Sequence, residues 1–321
     1  MNKLTVIMTF RNEGEEVDIT LQEIKRTAGE EVDIILVNDA SEDRYDYRKI
    51  AGKYNHTRYI ENAERQGCAA SREIGIKTCC TPYLFIIDAH MRFDENLWWV
   101  KIVEAIETDP RAIYCCRCGV WDYDTKQKRE IAPPYAAYMN LMDEDICESL
   151  NVYWTTKDVF PDEKIVDVPC VLGACYAASK SYWNYLRGLE GLRLYSYDET
   201  FISLKAWMEG GKCKLLKDVV VGHLFRKKFP YKVLQDERLY NRLFIASTLL
   251  PEEDRQKIEK ATRLEMDCIS FAKLKRLLGQ HQQEIEELKE YFQKILTGGF
   301  ERFAAFNASV YSKFMAEEKV A

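Results

Sequence analysis

The chain has 321 residues, and its 46 basic and 52 acidic side chains leave a net charge of −6. This length is enough to bury a large core without disulfides, as one large α/β unit with an appendage. Because the charge balance is slightly acidic, there is no basic footprint for nucleic acid, and polynucleotide binding is not expected.

The start of the chain alternates apolar segments with polar turns. Strands are predicted at 4–10 and 32–37, with a helix at 17–27 between them. This order predicts a parallel sheet with right-handed crossovers. Ligands of such sheets bind at the carboxyl ends of the strands, so the polar turns at 11–14 and 38–41 are expected to line one crevice.

Residues 83–87 form a third apolar segment, which ends abruptly in Asp88, Ala89 and His90. On an extended backbone Asp88 and His90 share a face, and the small Ala89 lets a ligand approach the main chain. A carboxylate and an imidazole suit a divalent cation such as manganese. The alternative is that Asp88 caps the next turn and His90 is an ordinary surface residue.

A helix that opens at Arg65–Arg72 is predicted to carry two arginines toward the crevice, where they could face a diphosphate or be solvated. Three further elements are predicted from the same patterns: a helix at 45–54, a strand at 57–61 and a helix at 93–106.

Residues 121–168 show no sustained period, which is typical of a substrate-binding insertion. Order returns at 169–178, where Gly173 and Ala174 could admit a ligand close to the backbone. Farther on, Asp198 and Glu199 precede a helix predicted to end at Glu209, and such acids also serve as N-caps.

A last strand is predicted at 214–221 and leads to His223. Of the four histidines, only His90 and His223 directly follow buried strands, so His223 is the candidate to complete the metal site. His56 and His281 are expected at the surface.

The eleven cysteines are an odd number, and residues 1–20 lack the features of a secretion signal, so we expect a reducing cytoplasm. No apolar run approaches the roughly 20 residues that span a bilayer. Cys115 and Cys118 lie in a strand predicted at 113–120, and we interpret them as apolar fillers rather than a metal or redox site.

From about residue 229 onward the pattern is helical. An amphipathic stripe is predicted to pack on the core or on another subunit, which would allow a homo-oligomer through the C-terminal helices. The stripe consists of Leu278, Ile285, Leu288, Phe292 and Ile295.

An ordered set of motifs resembles the GT-A glycosyltransferases of family 2 and, more closely, the catalytic domain of polypeptide N-acetylgalactosaminyltransferases. The motifs are Phe10–Glu13, Val37–Ser41, Ser71–Arg72, Asp88–His90, Leu172–Ala174, Asp198–Trp207 and Val221–Arg226. The resemblance implies an α/β GT-A fold, with a Rossmann-like, mostly parallel sheet flanked by helices. The catalytic domain would span 1–228 and a helical C-terminal extension 229–321.

The resemblance also implies a metal-dependent transferase that moves a sugar from a nucleotide-sugar donor, usually a UDP-sugar, to a hydroxyl of a glycan or other acceptor. Asp88, His90 and His223 would bind Mn²⁺ or Mg²⁺, which neutralises charge on the departing diphosphate. Asp39 and Arg72 would hold the uracil. The implied nucleotide-binding residues are Thr9, Phe10, Arg11, Glu13, Asp39, Gly67, Arg72 and Ala89.

The donor or acceptor sugar would contact Gly173, Ala174, Tyr195 and Trp207. A mobile loop would close over the diphosphate and exclude water. Its residues are Arg226, Lys227, Lys228 and Tyr231.

The implied catalytic residues are Asp198 and Glu199. If the reaction inverts the anomeric centre, Glu199 would deprotonate the acceptor hydroxyl. In retaining relatives the position of Asp198 holds a Glu that helps to bind donor sugar and acceptor, so the stereochemistry stays open.

Two other functions compete with transfer. A sugar nucleotidyltransferase needs a glycine-rich phosphate loop after its first strand, and residues 10–14 contain only one glycine. A catalytically silent nucleotide-sugar-binding scaffold would bind UDP without releasing it from a donor.

Overall fold

The computed structural model of the chain describes residues 2–141, 149–158 and 160–318. Its strands are β1 (Leu4–Phe10), β2 (Val32–Asn38), β3 (Thr57–Glu61), β4 (Tyr83–Ile87), β5 (Met91–Phe93), β6 (Ala112–Asp122), β7 (Ala136–Met139), β8 (Val152–Thr155), β9 (Ile165–Asp167), β10 (Cys175–Ser179) and β11 (Lys212–Phe225). Its helices are α1 (Glu16–Ala28), α2 (Tyr47–Ala51), α3 (Cys68–Thr78), α4 (Trp98–Thr108), α5 (Lys180–Tyr185), α6 (Asp198–Glu209), α7 (Gln235–Leu249), α8 (Glu252–Leu264), α9 (Cys268–Gln280), α10 (Gln282–Ile295) and α11 (Phe300–Glu318).

One large sheet organises the molecule. Its strand order is β3-β2-β1-β4-β10-β6-β11-β5, and β9 joins it by pairing with β11. The first four strands are parallel, as predicted, whereas β10 runs antiparallel to both β4 and β6. The α/β class is confirmed, but the sheet is mixed beyond β4, because β10 follows a long irregular segment instead of a crossover helix.

Helices cover both faces of this sheet. On one face, Leu21 of α1 shares a core cluster with Val6 of β1. On the other face, Ile76 of α3 and Phe201 of α6 share a cluster with Ile7. Because neither face meets water, β1 is buried at every residue, which explains its unbroken apolar sequence.

The helix predicted at 93–106 begins later than expected. Phe93 ends β5 instead, and α4 starts at Trp98 after Leu97, whose φ is 62°. The polar residues 94–96 interrupt the helical pattern, and the short β5 pairs with β11. The helix predicted at 45–54 is likewise shorter and covers only α2.

The segment 121–168 was predicted to be irregular, but its described part contains the β7–β8 hairpin and β9. These strands have only three or four residues, too few to establish a period. The last strand extends beyond the predicted 214–221 at both ends, and its register shifts between Leu216 and Val220. Such a bulge bends a strand, and here the bent end of β11 reaches β5.

The C-terminal helices pack on the same core as the sheet. Of the predicted stripe, Leu278, Ile285, Leu288 and Phe292 are buried in the cluster that contains α6, and Ile295 packs against it. The domain boundary at 228 and the homo-oligomer stay predictions. Among the described helices, none has the length and apolarity needed to cross a membrane.

Candidate functional site

A cleft of about 410 Å³ opens at the carboxyl edge of the parallel strands. It lies where β1, β2 and β4 end, where α3 and α6 begin, and where the chain leaves β11. Twenty of the residues implicated by the sequence line it, although they are distant in the chain. They are Thr9, Phe10, Arg11, Glu13, Asp39, Gly67, Arg72, Asp88, Ala89, His90, Gly173, Ala174, Tyr195, Asp198, Glu199, His223, Arg226, Lys227, Lys228 and Tyr231.

Trp207, predicted to contact a sugar, is not among the residues that line the cleft. Its side chain is 4% exposed, donates a hydrogen bond to the carbonyl of Val168, and lies with its ring centroid 4.4 Å from that of Phe306. Trp207 is nine residues beyond Asp198 on α6, which places it two and a half turns away from the end of the helix that reaches the site.

Asp88, His90 and His223 converge at one point of the cleft. Their potential ligand atoms all lie within 4.8 Å of one another. The Nε2 atoms of the two histidines are 3.0 Å apart, and His223 Nε2 is 3.4 Å from an Asp88 carboxylate oxygen. Strand pairing produces this meeting, because His223 on β11 stands opposite Met91 on β5, next to His90 in the chain.

Glu13 orients the ring of His90. Its carboxylate lies 3.2 Å from His90 Nδ1 and also accepts a hydrogen bond from Arg226. The Arg226 guanidinium lies 3.0 Å from the same Nδ1, so Glu13 and Arg226 together fix the orientation of the ring and leave Nε2 facing His223. Burial alone would raise the pKa of Glu13, but His90 and Arg226 outweigh it and lower the pKa.

The three ligands fit a divalent cation. An octahedral ion with bonds of about 2.1 Å separates neighbouring ligands by about 3.0 Å, close to the two spacings between His90, His223 and Asp88. The buried Nδ1 of His223 has no hydrogen-bond partner among the residues that the structure describes. Burial lowers the pKa of this ring, which favours the neutral form that metals bind. Burial works to raise the pKa of Asp88, yet His223, Arg72 and His90 hold it well below its usual range.

Arg72 joins the metal ligands to the acids of α6. Its guanidinium donates hydrogen bonds to Asp88 at 3.0 Å and to Asp198 at 2.8 Å, and it is 4% exposed. Arg72 therefore holds two carboxylates rather than presenting a free cation to uracil. The side chain of Asp198 does not cap α6, whose N-cap is Tyr197.

Asp39 is also engaged within the protein. Its carboxylate accepts hydrogen bonds from the main-chain N–H groups of Gln66 and Gly67 and from the side chain of Asn62, at 2.7 to 2.9 Å. It thus fixes the turn into α3. Gly67 has a φ of 92°, and a Cβ atom there would lie 2.1 Å from Leu194, so only glycine fits.

Glu199 lines the cleft and has no ion-pair partner among the described residues. Burial and the charge of Asp198 raise the pKa of Glu199 to about 7. Gly173 makes room for it, since a Cβ at that position would lie 2.6 Å from the Glu199 carboxylate. A carboxyl group that titrates near neutrality can accept a proton during a reaction.

The segment after β11 forms the remaining wall. Lys227 pairs with Asp124 at 3.0 Å, Lys228 is exposed, and Arg65 lies over the ring of Tyr231 at 5.4 Å. Arg226, predicted to face the diphosphate, is held by Glu13 instead.

A second cavity of about 450 Å³ adjoins the cleft. Four residues line both spaces: Trp154, Ser196, Glu199 and Phe225. Sequence reasoning did not single out Trp154, which lies on β8 within the segment that showed no period. Glu199 thus stands at the junction of two spaces.

The mixed sheet, the helices on both of its faces and the cleft at the carboxyl edge of its parallel strands define a GT-A fold. The chain superposes on a crystal structure of GalNAc-T7 with UDP, GalNAc and Mn²⁺ at a TM-score of 0.73 and 18% identity, covering 94% of this chain and 56% of that one. Residues 5–166 match the glycosyl transferase family 2 model. The chain belongs to glycosyl transferase family 2.

Two relatives resemble it over most of its length. Human polypeptide N-acetylgalactosaminyltransferase 14 is 26% identical over 231 residues, which cover 71% of this chain and 41% of that protein. Polypeptide N-acetylgalactosaminyltransferase 4 of Caenorhabditis elegans is 24% identical over 239 residues, which cover 72% and 40%. The chain therefore spans about two fifths of the length of these relatives.

Proposed function

We propose that the chain transfers a sugar from a UDP-sugar to the hydroxyl of a glycan or other acceptor, with Mn²⁺ or Mg²⁺ as cofactor. The observation that carries this proposal is the convergence of Asp88, His90 and His223 beside a cleft at the carboxyl edge of the sheet. The family membership and the UDP and Mn²⁺ named with GalNAc-T7 support it.

The cation would be held by Asp88, His90 and His223, and it would neutralise the charge that develops on the diphosphate. Arg72 keeps the Asp88 carboxylate in place through its hydrogen bond of 3.0 Å. Glu13 keeps the His90 ring in place through Nδ1. The two contacts fix the ligands before donor arrives, which reduces the reorganisation that the reaction requires.

We propose that Glu199 is the general base, which makes the proposed reaction one that inverts the anomeric centre. It lies at the junction of the cleft and the second cavity, so an acceptor hydroxyl entering from the second cavity would meet its carboxylate. The donor would occupy the cleft on the other side. A base with a pKa near 7 is partly ionised at neutral pH and binds a transferred proton well.

The wall after β11 supplies cations and shields the site. Lys228 is exposed at the cleft and can approach a diphosphate oxygen without breaking an ion pair seen in the structure. Phe229 and Tyr231 add apolar surface on the same wall, which would keep water from the donor.

The test is release of UDP from a panel of UDP-sugars, measured with and without Mn²⁺ and acceptor. We expect metal-dependent release by the wild type and none by Asp88→Asn, which should still fold and unfold cooperatively as an apo protein. A silent binding scaffold predicts instead that UDP raises the Tm while no donor is turned over. Wild-type turnover by Asp88→Asn would refute the metal assignment.

The cytoplasmic location belongs to the proposal as well. The ten cysteines of the described residues are free thiols, which agrees with a reducing compartment. Cys115 and Cys118 are fully buried in the sheet, as expected for apolar fillers.

A further inference from the structure

The loop that leads into α6 has an unusual backbone. Leu194, Ser196 and Tyr197 have φ angles of 56°, 86° and 70°, in the left-handed region that residues with a Cβ rarely adopt. The next two residues in the chain are Asp198 and Glu199. Such a loop keeps its shape only if the surrounding structure holds it there.

Asn241 of α7 makes four hydrogen bonds to this loop, which we define as residues 193–197. Its side-chain oxygen accepts from the N–H of Arg193 at 2.8 Å. Its amide group donates to the carbonyls of Arg193, Tyr195 and Ser196 at 2.8, 3.1 and 2.9 Å. Asn241 is 0% exposed, and both its amide group and its side-chain oxygen bond to one short segment, with the two N–H groups shared among three carbonyls.

The same helix braces the opposite wall of the cleft. Glu237, one turn before Asn241, receives both arms of the Arg65 guanidinium at 3.0 Å each. The 193–197 loop also touches that wall, because Leu194 accepts a hydrogen bond from the N–H of Cys68 at 2.7 Å. The contact of α7 with Arg65 and its contact with the 193–197 loop therefore both support the start of α3.

We infer that Asn241 is a positioning residue for the proposed transfer reaction: it holds the 193–197 loop in the conformation that places Glu199 at the junction of the cleft and the second cavity. This inference rests on the proposed function for its catalytic consequence. Neither the donor nor the acceptor would contact Asn241, since it is fully buried and lines neither the cleft nor the second cavity.

The first measurement is hydrogen exchange of the apo protein. In Asn241→Ala the amides of the 193–197 loop should exchange at least about tenfold faster, while those of β1 should stay unchanged, because only the loop loses its partner. Thr248→Val is the matched control. Thr248 is buried on the same helix and donates to Phe244 within α7, so its loss should leave the loop unaffected.

The second measurement is UDP release with Mn²⁺ from the UDP-sugar of the panel that the wild type turns over fastest, normalised to the number of UDP-binding sites. Asn241→Ala should lower kcat by about a hundredfold with little change in the KM of the donor, as expected for a misplaced base. The loss should be smaller, about tenfold, in a Ser196→Gly background, because glycine adopts a positive φ without help. Thr248→Val should retain the wild-type kcat.

The outcomes distinguish a failure of the role inferred for Asn241 from a failure of the proposed function. Unchanged exchange in Asn241→Ala overturns the inference. An equal loss of kcat with and without the Ser196→Gly substitution, or an equal loss in Thr248→Val, overturns it as well. If the wild type releases no UDP from any donor, the proposed function fails instead. The exchange data then decide alone whether Asn241 holds the loop.

Discussion

The Nε2 atoms of His90 and His223 lie 3.0 Å apart although 133 positions separate the two residues in the chain. Two neutral imidazole nitrogens at this distance repel each other unless a proton or a cation lies between them. The contact of Glu13 with His90 Nδ1 and the nearby Asp88 carboxylate both favour the cation. The site is therefore arranged around a positive charge.

Glu13→Gln should weaken manganese binding by about ten- to a hundredfold, the usual effect of removing a hydrogen-bond partner of a metal-binding histidine. The amide can still occupy the same volume, but it no longer carries the charge that holds His90 and Arg226. Isothermal titration of the apo protein with Mn²⁺ measures the change. A wild-type affinity in Glu13→Gln would show that the carboxylate does not support the site.

Glu199 sets the expected pH dependence of transfer. With a pKa of about 7, the carboxyl group is protonated at lower pH, so kcat/KM should fall about tenfold per pH unit below that value. Glu199→Gln should remove nearly all activity together with this acidic limb. If Glu199→Gln still shows the fall of kcat/KM at low pH, another group is the general base.

The same residue predicts an effect on stability with a definite sign. Because the folded-state pKa of Glu199 is raised from 4.5 to about 7, the carboxyl group contributes stability at pH below 4.5 and loses it as pH rises through 7. Glu199→Gln should therefore be more stable than the wild type at pH 8, by up to about 3 kcal/mol, and similar at pH 4. Urea unfolding at the two pH values tests this difference. A variant that is less stable at pH 8 would contradict it.

Arg72→Met should destabilise the protein by about 3 to 5 kcal/mol, because it leaves the buried Asp198 and the nearby Asp88 without their common cation. Arg72→Lys should recover only part of the loss, since a single ammonium group cannot reproduce two hydrogen bonds in a fixed plane. Urea unfolding measures both variants. Equal stability of Arg72→Met and the wild type would mean that the two ion pairs do not form.

Trp207→Phe should reduce stability without changing kcat per folded molecule, because Trp207 packs on Phe306 away from the cleft. We expect a loss of about 1 to 2 kcal/mol, from the smaller ring and the lost hydrogen bond to Val168. A selective rise in the KM of the donor or the acceptor would instead indicate that Trp207 contacts a sugar.

The sequence was sufficient to predict the parallel half of the sheet and most of the cleft. Apolar segments that end in polar turns identify strands, and in a parallel sheet those ends meet, so Phe10, Asp39 and Asp88 could be placed together. The meeting of His90 with His223 could only be proposed as a candidate, because it depends on the short β5. Three residues give too little pattern to identify a strand.

Side-chain partners were harder to predict than positions. Arg72 and Asp39 line the cleft as expected, yet each is bound by other protein groups, which depends on distances that no spacing encodes. Asn241 left no recognisable signal, since one polar residue within an apolar helical stretch has many explanations. Its role follows only from the four hydrogen bonds that the folded loop makes to it.

The most direct test of the account is a titration of the protein with Mn²⁺ in the presence of UDP, with free Mn²⁺ followed by electron paramagnetic resonance. One bound ion per chain is expected in the wild type. None is expected, over the same concentration range, in the folded Asp88→Asn/His223→Ala variant. The same stoichiometry and affinity in that variant would contradict the assignment of the ion to Asp88, His90 and His223.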